Sequence, residues 1–226
     1  MSDKSSIRYI LTLSIPIFFA NLAIPLVGIV DTALMGNMSD QSYLTATSIA
    51  SSFFSLVFWS FGFLRMGTVG IVSQALGKGD YRELVNTIIR NLFVALLIAF
   101  IIIFLKPHII NLIYNLFVTS EQTKVLIERY ISIRIFSAPA ELIIYILVGF
   151  YLGIQKTFIS SSLIIILSVL NIVLSIYFVH YIQLDVAGVA LGTLAASYLT
   201  VISYSIFTYY YIIKKFKVIP RIYKKI

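Results

Sequence analysis

Four ionisable side chains interrupt long apolar runs of this sequence: Asp31, Arg65, Arg134 and Glu141. An ionised group in hydrocarbon costs at least roughly 2.5–3.5 kcal/mol. Packing alone does not call for one, so each marks a place where charge is handled or helices are locked. Asp31 ends the run Ile24-Pro25-Leu26-Val27-Gly28-Ile29-Val30-Asp31-Thr32. A carboxyl between Val30 and Thr32 can exchange a proton as its surroundings change. Pro16 and Pro25 upstream each remove a helical hydrogen bond and permit a bend. A titrating carboxyl on a bendable helix suits a proton-driven switch; the plainer reading is a hydrated residue at a helix end. Arg134 and Glu141 stand seven apart, with Tyr145 four further on, so all three share one helical stripe. A direct Arg134–Glu141 pair is not expected, because helical ion pairs form at a spacing of three or four. The stripe either serves a cavity or neutralises charges on neighbouring helices. Arg65 is one such neighbour, or it snorkels toward water.

Uncharged polar residues form faces of their own. Ser168, Asn171 and Ser175 are spaced three and four; Thr193, Ser197, Thr200 and Tyr204 are spaced four, three and four. Each set makes one polar face, which either lines a cavity or hydrogen-bonds helix to helix. Ser48, Ser51, Ser52 and Ser55 read as a small-residue packing face, and Gly188-x-x-x-Gly192 as a close-approach motif. Gly77-Lys78-Gly79-Asp80 lacks phosphate-loop spacing and reads as a tight turn. His108 and His180 are isolated and read as loop residues rather than metal ligands. With no G-x-S-x-G, no H-E-x-x-H and no cysteine, hydrolase and thiolate-metal chemistry find no support, and neither an enzyme nor a cofactor is expected.

The elements that must position these residues follow from composition. Of 226 residues, 60% are apolar and 12% charged, about half the roughly 25% charged share of soluble domains. Mean hydropathy is +0.99. Too few polar residues exist to cover a soluble surface, so the fold class is all-α, a polytopic transmembrane six-helix bundle in a lipid bilayer. Spans are expected at about 9–33, 44–75, 88–105, 127–152, 157–181 and 186–213, as one lobe over 1–213 with a basic cytoplasmic tail over 214–226. Pro107 ends or kinks the third. The first span is too long for a signal peptide and reads as an uncleaved helix.

Lys4, Arg8, Lys78, Arg82, Arg90, Lys156, Lys214, Lys215, Lys217, Arg221, Lys224 and Lys225 fall on one side of such a bundle, against Lys106, Lys124 and Arg129 on the other. Twelve against three places both termini in the cytoplasm, in a multi-pass protein of the cell inner (plasma) membrane. The same partition accounts for the net charge of +8 without a nucleic-acid partner. The halves 1–113 and 114–226 show no internal repeat.

Three stretches resemble multidrug and toxic compound extrusion (MATE) transporters of the DinF-type branch: residues 25–36, running Pro25 to Gly36 around Asp31; residues 63–75, with Arg65-Met66-Gly67; and Arg134-Ile135-Phe136-Ser137-Ala138-Pro139-Ala140, with Gly149 and Gly153 closing that helix. The resemblance covers essentially the whole chain but only half of the family's twelve-span, two-lobe fold, so it implies an amino-terminal lobe. It implies cation-coupled export of small, amphiphilic, often cationic organic compounds, with H+ as the coupling ion and Na+ as the alternative. Asp31 resembles the family's proton-binding carboxylate, Pro16 the proline where its helix bends, and Asn171 and Thr193 the carboxylate's polar partners. Ser175 stands where many relatives carry aspartate, and Ile144 where they often carry asparagine. Glu141, one turn before Tyr145, stands in place of a small apolar residue as a compensating carboxyl. Partners implied are a separately encoded carboxy-terminal lobe or a second copy of the chain. Other readings are a split-gene remnant or structural membrane subunit without transport, and a flippase for lipid-linked precursors.

Overall fold

The computed structural model describes residues 3–117 and 120–218. Arg221, Lys224 and Lys225 of the expected tail lie outside the described residues, as do the side chains of Lys4 and Arg8. The helices are α1 (Asp3–Gly36), α2 (Gln41–Ser60), α3 (Phe63–Gly77), α4 (Tyr81–Phe104), α5 (Lys106–Leu116), α6 (Glu121–Arg134), α7 (Ala138–Gly153), α8 (Thr157–Ile176) and α9 (Val186–Phe216). A 3-10 turn, Ile135–Ser137, joins α6 to α7, and a π turn, Tyr177–Tyr181, closes α8. There is no strand among the described residues. Six stretches are long and apolar enough to cross a membrane: Ser14–Gly36, Gln41–Gly77, Tyr81–Phe104, Glu121–Gly153, Thr157–Tyr181 and Val186–Phe216.

Short polar residues start the helices. The Asp40 carboxylate accepts from Ser42 N at 2.7 Å, Asp80 from Glu83 N at 2.9 Å, Ser120 from Thr123 N at 3.2 Å and Asp185 from Ala187 N at 3.1 Å. Each satisfies a backbone donor that the first helical turn leaves free. The 77–80 segment turns the chain between α3 and α4, with Gly79 at φ +68°, a left-handed conformation that suits glycine. Asp80 with Glu83 then restarts the helix.

The α4 helix stops at Phe104, and Pro107 lies in the first turn of α5, where a proline lacks only an N–H that would have been unpaired anyway. His108 therefore lies on that helix and His180 in the π turn, both exposed rather than in loops. The second span is two helices, α2 and α3, stepped at Phe61-Gly62, and α9 continues to Phe216, past 213.

The core lies where α2, α4, α6, α7 and α9 meet, around Phe54, Leu84, Tyr130, Ile131, Leu142, Phe150 and Tyr151. The helix α3 packs on α7, α2 on α6, and α8 on α9. Two glycine pairs set the close contacts. A Cβ on Gly149 would lie 2.7 Å from the Arg65 carbonyl oxygen, and one on Gly153 2.7 Å from Val72 Cγ1, so α3 rests on the bare backbone of α7. Across the bundle, a Cβ on Gly192 would lie 2.5 Å from Ser175 Oγ and one on Gly188 2.8 Å from Val179 Cγ2, which presses α8 and its π turn onto α9. Lipid-type side chains such as Phe93, Phe100 and Phe104 cover the outside of α4. The serine face of α2 is not a packing face within the described residues: Ser48, Ser52 and Ser55 are exposed and Ser51 is half-buried. The buried face of α2 carries Ala46, Thr47, Ala50, Phe54 and Phe58 instead, whose larger apolar area fills the core.

Candidate functional site

Asp31 lies near the end of α1, half-buried, with its Oδ1 enclosed and without a hydrogen-bond partner among the described residues. Ser175, from α8, stands within hydrogen-bonding reach of this carboxyl. The serine hydroxyl donates to Asn171 Oδ1 at 3.2 Å; Asn171 Nδ2 donates to Thr193 Oγ1 at 3.1 Å; and Thr193 Oγ1 donates to the Val189 carbonyl at 3.1 Å. Every bond in this chain runs in the same direction, away from Asp31. Each hydroxyl has a single proton, so while Ser175 serves Asn171 it has none for Asp31. The three partners are buried, Ser175 completely. They arise from two adjacent helices because Gly192 admits Ser175 to the α9 backbone.

A second cluster lies alongside. Arg134 Nη2 pairs with Glu141 Oε1 at 2.6 Å, and Arg134 Nη1 also bonds the Ser137 hydroxyl. The Arg134 guanidinium faces the rings of Phe54 and Phe58, 5.3 and 5.4 Å from their centroids. It also reaches Tyr130, and Asp31 lies within its electrostatic range. The direct Arg134–Glu141 pair corrects the sequence expectation. Pro139 lacks an N–H for the Ile135 carbonyl, and the backbone answers with the Ile135–Ser137 turn, so seven residues no longer span two regular turns of one helix. The Ser137 hydroxyl closes that turn by donating to the Arg134 carbonyl at 2.8 Å. Tyr145, half-buried, lies within electrostatic range of Glu141, Arg65 and Arg134.

Pro16 and Pro25 both sit inside an uninterrupted α1. Pro25 is exposed. Pro16 borders a cavity of about 350 Å³ between α1 and α8, with Ile15, Phe19, Ser161 and Ser162 among its lining. Asp31, Ser175, Asn171 and Thr193 thus form one group, Arg134, Glu141 and Tyr145 another beside it, and the two prolines lie apart from both. Among the described residues no group of three or more His, Asp or Glu could hold a metal ion. Sequence reasoning missed Ser137 and Tyr130 as partners of Arg134. Their signal was the Ser-Ala-Pro step that forces the turn, and the four-residue spacing from Tyr130 to Arg134.

A model of the MatE family matches residues 16–177. The chain is 34% identical over 198 residues to the DNA damage-inducible protein F of Escherichia coli (strain K12), covering 88% of this chain and 43% of that protein. It is 24% identical over 192 residues to the multidrug export protein MepA of Staphylococcus saprophyticus, covering 84% of this chain and 43% of the relative. The fold superposes on a MOP superfamily transporter from Pyrococcus furiosus with a TM-score of 0.80 at 21% identity, over 95% of this chain and 46% of that one. The chain therefore spans about half the length of the relatives it matches. A match over residues 16–177, which holds Asp31, Arg134, Glu141 and Asn171, together with that identity across most of the chain, places this protein in the MatE family.

Proposed function

We propose that this chain forms one six-helix lobe of a proton-coupled exporter of small amphiphilic, often cationic, organic compounds, with Asp31 as the proton-binding group. The observation that carries the reading is the enclosed, unpartnered Asp31 Oδ1 beside Ser175. A neutral carboxyl brings its own proton and tolerates the bond pattern in which Ser175 serves Asn171. An ionised carboxylate has no donor there. It draws the Ser175 proton toward itself, which leaves Asn171 Oδ1 unpaired and loosens the Asn171–Thr193 bond between α8 and α9. Proton exchange at one atom is thereby linked to how α1, α8 and α9 fit together. A cationic compound stabilises the ionised form, and reprotonation favours its release. Pro16 gives α1 a place to bend and the adjoining cavity gives it room.

Export needs a second wall. A separately encoded second lobe supplies it in this reading, and a second copy of the chain is the alternative. The exposed serines Ser48, Ser52 and Ser55 favour such a partner over lipid alone. The excess of basic residues at one end supports both termini on the cytoplasmic side of the inner membrane. Cells expressing the chain with a matching second lobe should extrude a fluorescent cation such as ethidium down a proton gradient. Asp31→Asn should abolish that extrusion, and unchanged extrusion would remove Asp31 from the mechanism. Native mass in detergent separates the second-lobe and second-copy assemblies.

A further inference from the structure

The helices α4 and α9 each pack on α7 and scarcely touch one another. Between them lies a groove with a cavity of about 130 Å³, walled by Val85, Ile89 and Leu92 of α4 and by Ser205 and Ile212 of α9, and reaching Leu147 of α7. Thr208, also on the α9 wall, gives its proton to the Tyr204 carbonyl at 2.6 Å and meets the Tyr151 hydroxyl at 2.8 Å. A ligand that must be hydrogen-bonded finds little here, whereas hydrocarbon needs no such bonds. The size is equally selective. An apolar cavity of about 150 Å³ admits one benzene ring, and a helix with its side chains is about 10–12 Å across. The groove suits a hydrocarbon chain and is too narrow for a helix of another protein.

Positive charge gathers at one end of it. The start of α4 and the end of α9 lie together, with the Tyr81 and Phe216 rings 5.0 Å apart. Arg82 stands three residues before Val85 and Lys215 three residues after Ile212, so each wall carries an exposed cation one turn beyond the cavity. The carboxylates at this end are already engaged. Asp80 accepts from Glu83 N at 2.9 Å, and Glu83 pairs with Arg90. Lys214 and Lys215 have no ion pair among the described residues. Tyr81 and Tyr209 are exposed beside the groove, as rings that favour the boundary between lipid and water are.

We propose that the groove between α4 and α9 binds an anionic phospholipid, one acyl chain lying along the cavity and the phosphate reaching Arg82 and Lys215. The chain fills a gap that side chains leave open, and the headgroup meets charge that the protein does not neutralise itself. The same charge repels cationic compounds, which separates this site from the one at Asp31. The bound lipid braces α4 against α9, two helices that otherwise share only α7. The inference goes beyond the exporter reading and does not rest on it.

Native mass spectrometry of the full chain in detergent, titrated with dioleoylphosphatidylglycerol or with dioleoylphosphatidylcholine, tests the site. Wild type should bind one phosphatidylglycerol roughly tenfold more tightly than one phosphatidylcholine. Ser205→Trp fills the groove from an exposed position, outside the core, and should abolish that preference; Ser205→Ala should keep it. Arg82→Gln with Lys215→Gln should bring phosphatidylglycerol down to the level of phosphatidylcholine. Equal binding of the two lipids by wild type would overturn the site. A preference that survives Ser205→Trp would overturn it too, because headgroups would then collect on the basic end without the groove. So would a doubled wild-type mass that Ser205→Trp returns to single, because a second copy would then cover the groove.

Discussion

Two buried polar clusters lie side by side in this bundle and are built on opposite principles. Around Arg134 the charge has partners: a carboxylate at 2.6 Å, the Ser137 hydroxyl, and two aromatic rings over the guanidinium. Around Asp31 the donors run short by one proton, because Ser175 spends its only hydrogen on Asn171. A fully paired charge in a low-dielectric interior resists change, since every alternative arrangement leaves something unsatisfied. A carboxyl one donor short is the one at which, in the proposed mechanism, the arrival of a proton would change the bonding. The first cluster ties α6 and α7 to α2; the second joins α8 to α9 and leaves Asp31 of α1 one donor short.

The contrast predicts a graded series of effects on stability, measured by unfolding in detergent. Arg134→Met leaves the half-buried Glu141 without its cation and should cost up to about 3 kcal/mol, the lower end for a fully buried pair, with most of that loss recovered in Arg134→Met combined with Glu141→Leu. Failure of the double variant to recover would mean the pair is more than a lock. Gly192→Val forces a side chain against Ser175, and overpacking of this kind costs typically 1–3 kcal/mol; Gly192→Ala should cost less. Thr193→Val removes one interhelical hydrogen bond, which in membrane proteins is worth on average about 0.6 kcal/mol. Asp31→Asn should change stability least among the buried positions, because an amide brings the donor the site lacks, yet it should remove proton-linked behaviour entirely. A large loss of stability in Asp31→Asn would place Asp31 with Arg134 among the locks.

A third carboxylate, in water, completes the series. The backbone N–H of Ser42 holds the Asp40 carboxyl below its ordinary range. Its contribution is therefore whole above the unfolded carboxylate pKa and is lost as the pH falls through the lowered folded value. Asp40→Asn should flatten that acidic limb of a stability–pH curve by lowering the neutral plateau, and leave stability below the lowered folded value unchanged.

The sequence carried the outline of this fold because lipid imposes a simple code: long uncharged runs become spans, and the residues that break them stand out. Asp31, Arg134, Glu141 and the polar faces of α8 and α9 were visible for that reason. The departures came from local backbone chemistry that hydropathy does not register. Past the end of α4, Pro107 sits in the first turn of a further short helix that the sequence reading did not include, and Pro139 created the turn that lets Arg134 reach Glu141. The register between α8 and α9 was also hidden. It depends on Gly188 and Gly192 meeting Val179 and Ser175, a contact between segments whose pairing no single helix encodes. The serine face of α2 looked like packing because small residues usually are; its exposure follows from the bulkier Phe54 and Phe58 on the opposite face.

The arrangement of α1 has one further consequence. This helix leans chiefly on α8, with α2 as its next neighbour, and little of its span is enclosed by the rest of the chain. It is hung like a door on one jamb, while α3, seated on the glycines of α7, belongs to the frame. In the proposed mechanism, a change at Asp31 would therefore have few other attachments to break before α1 moves.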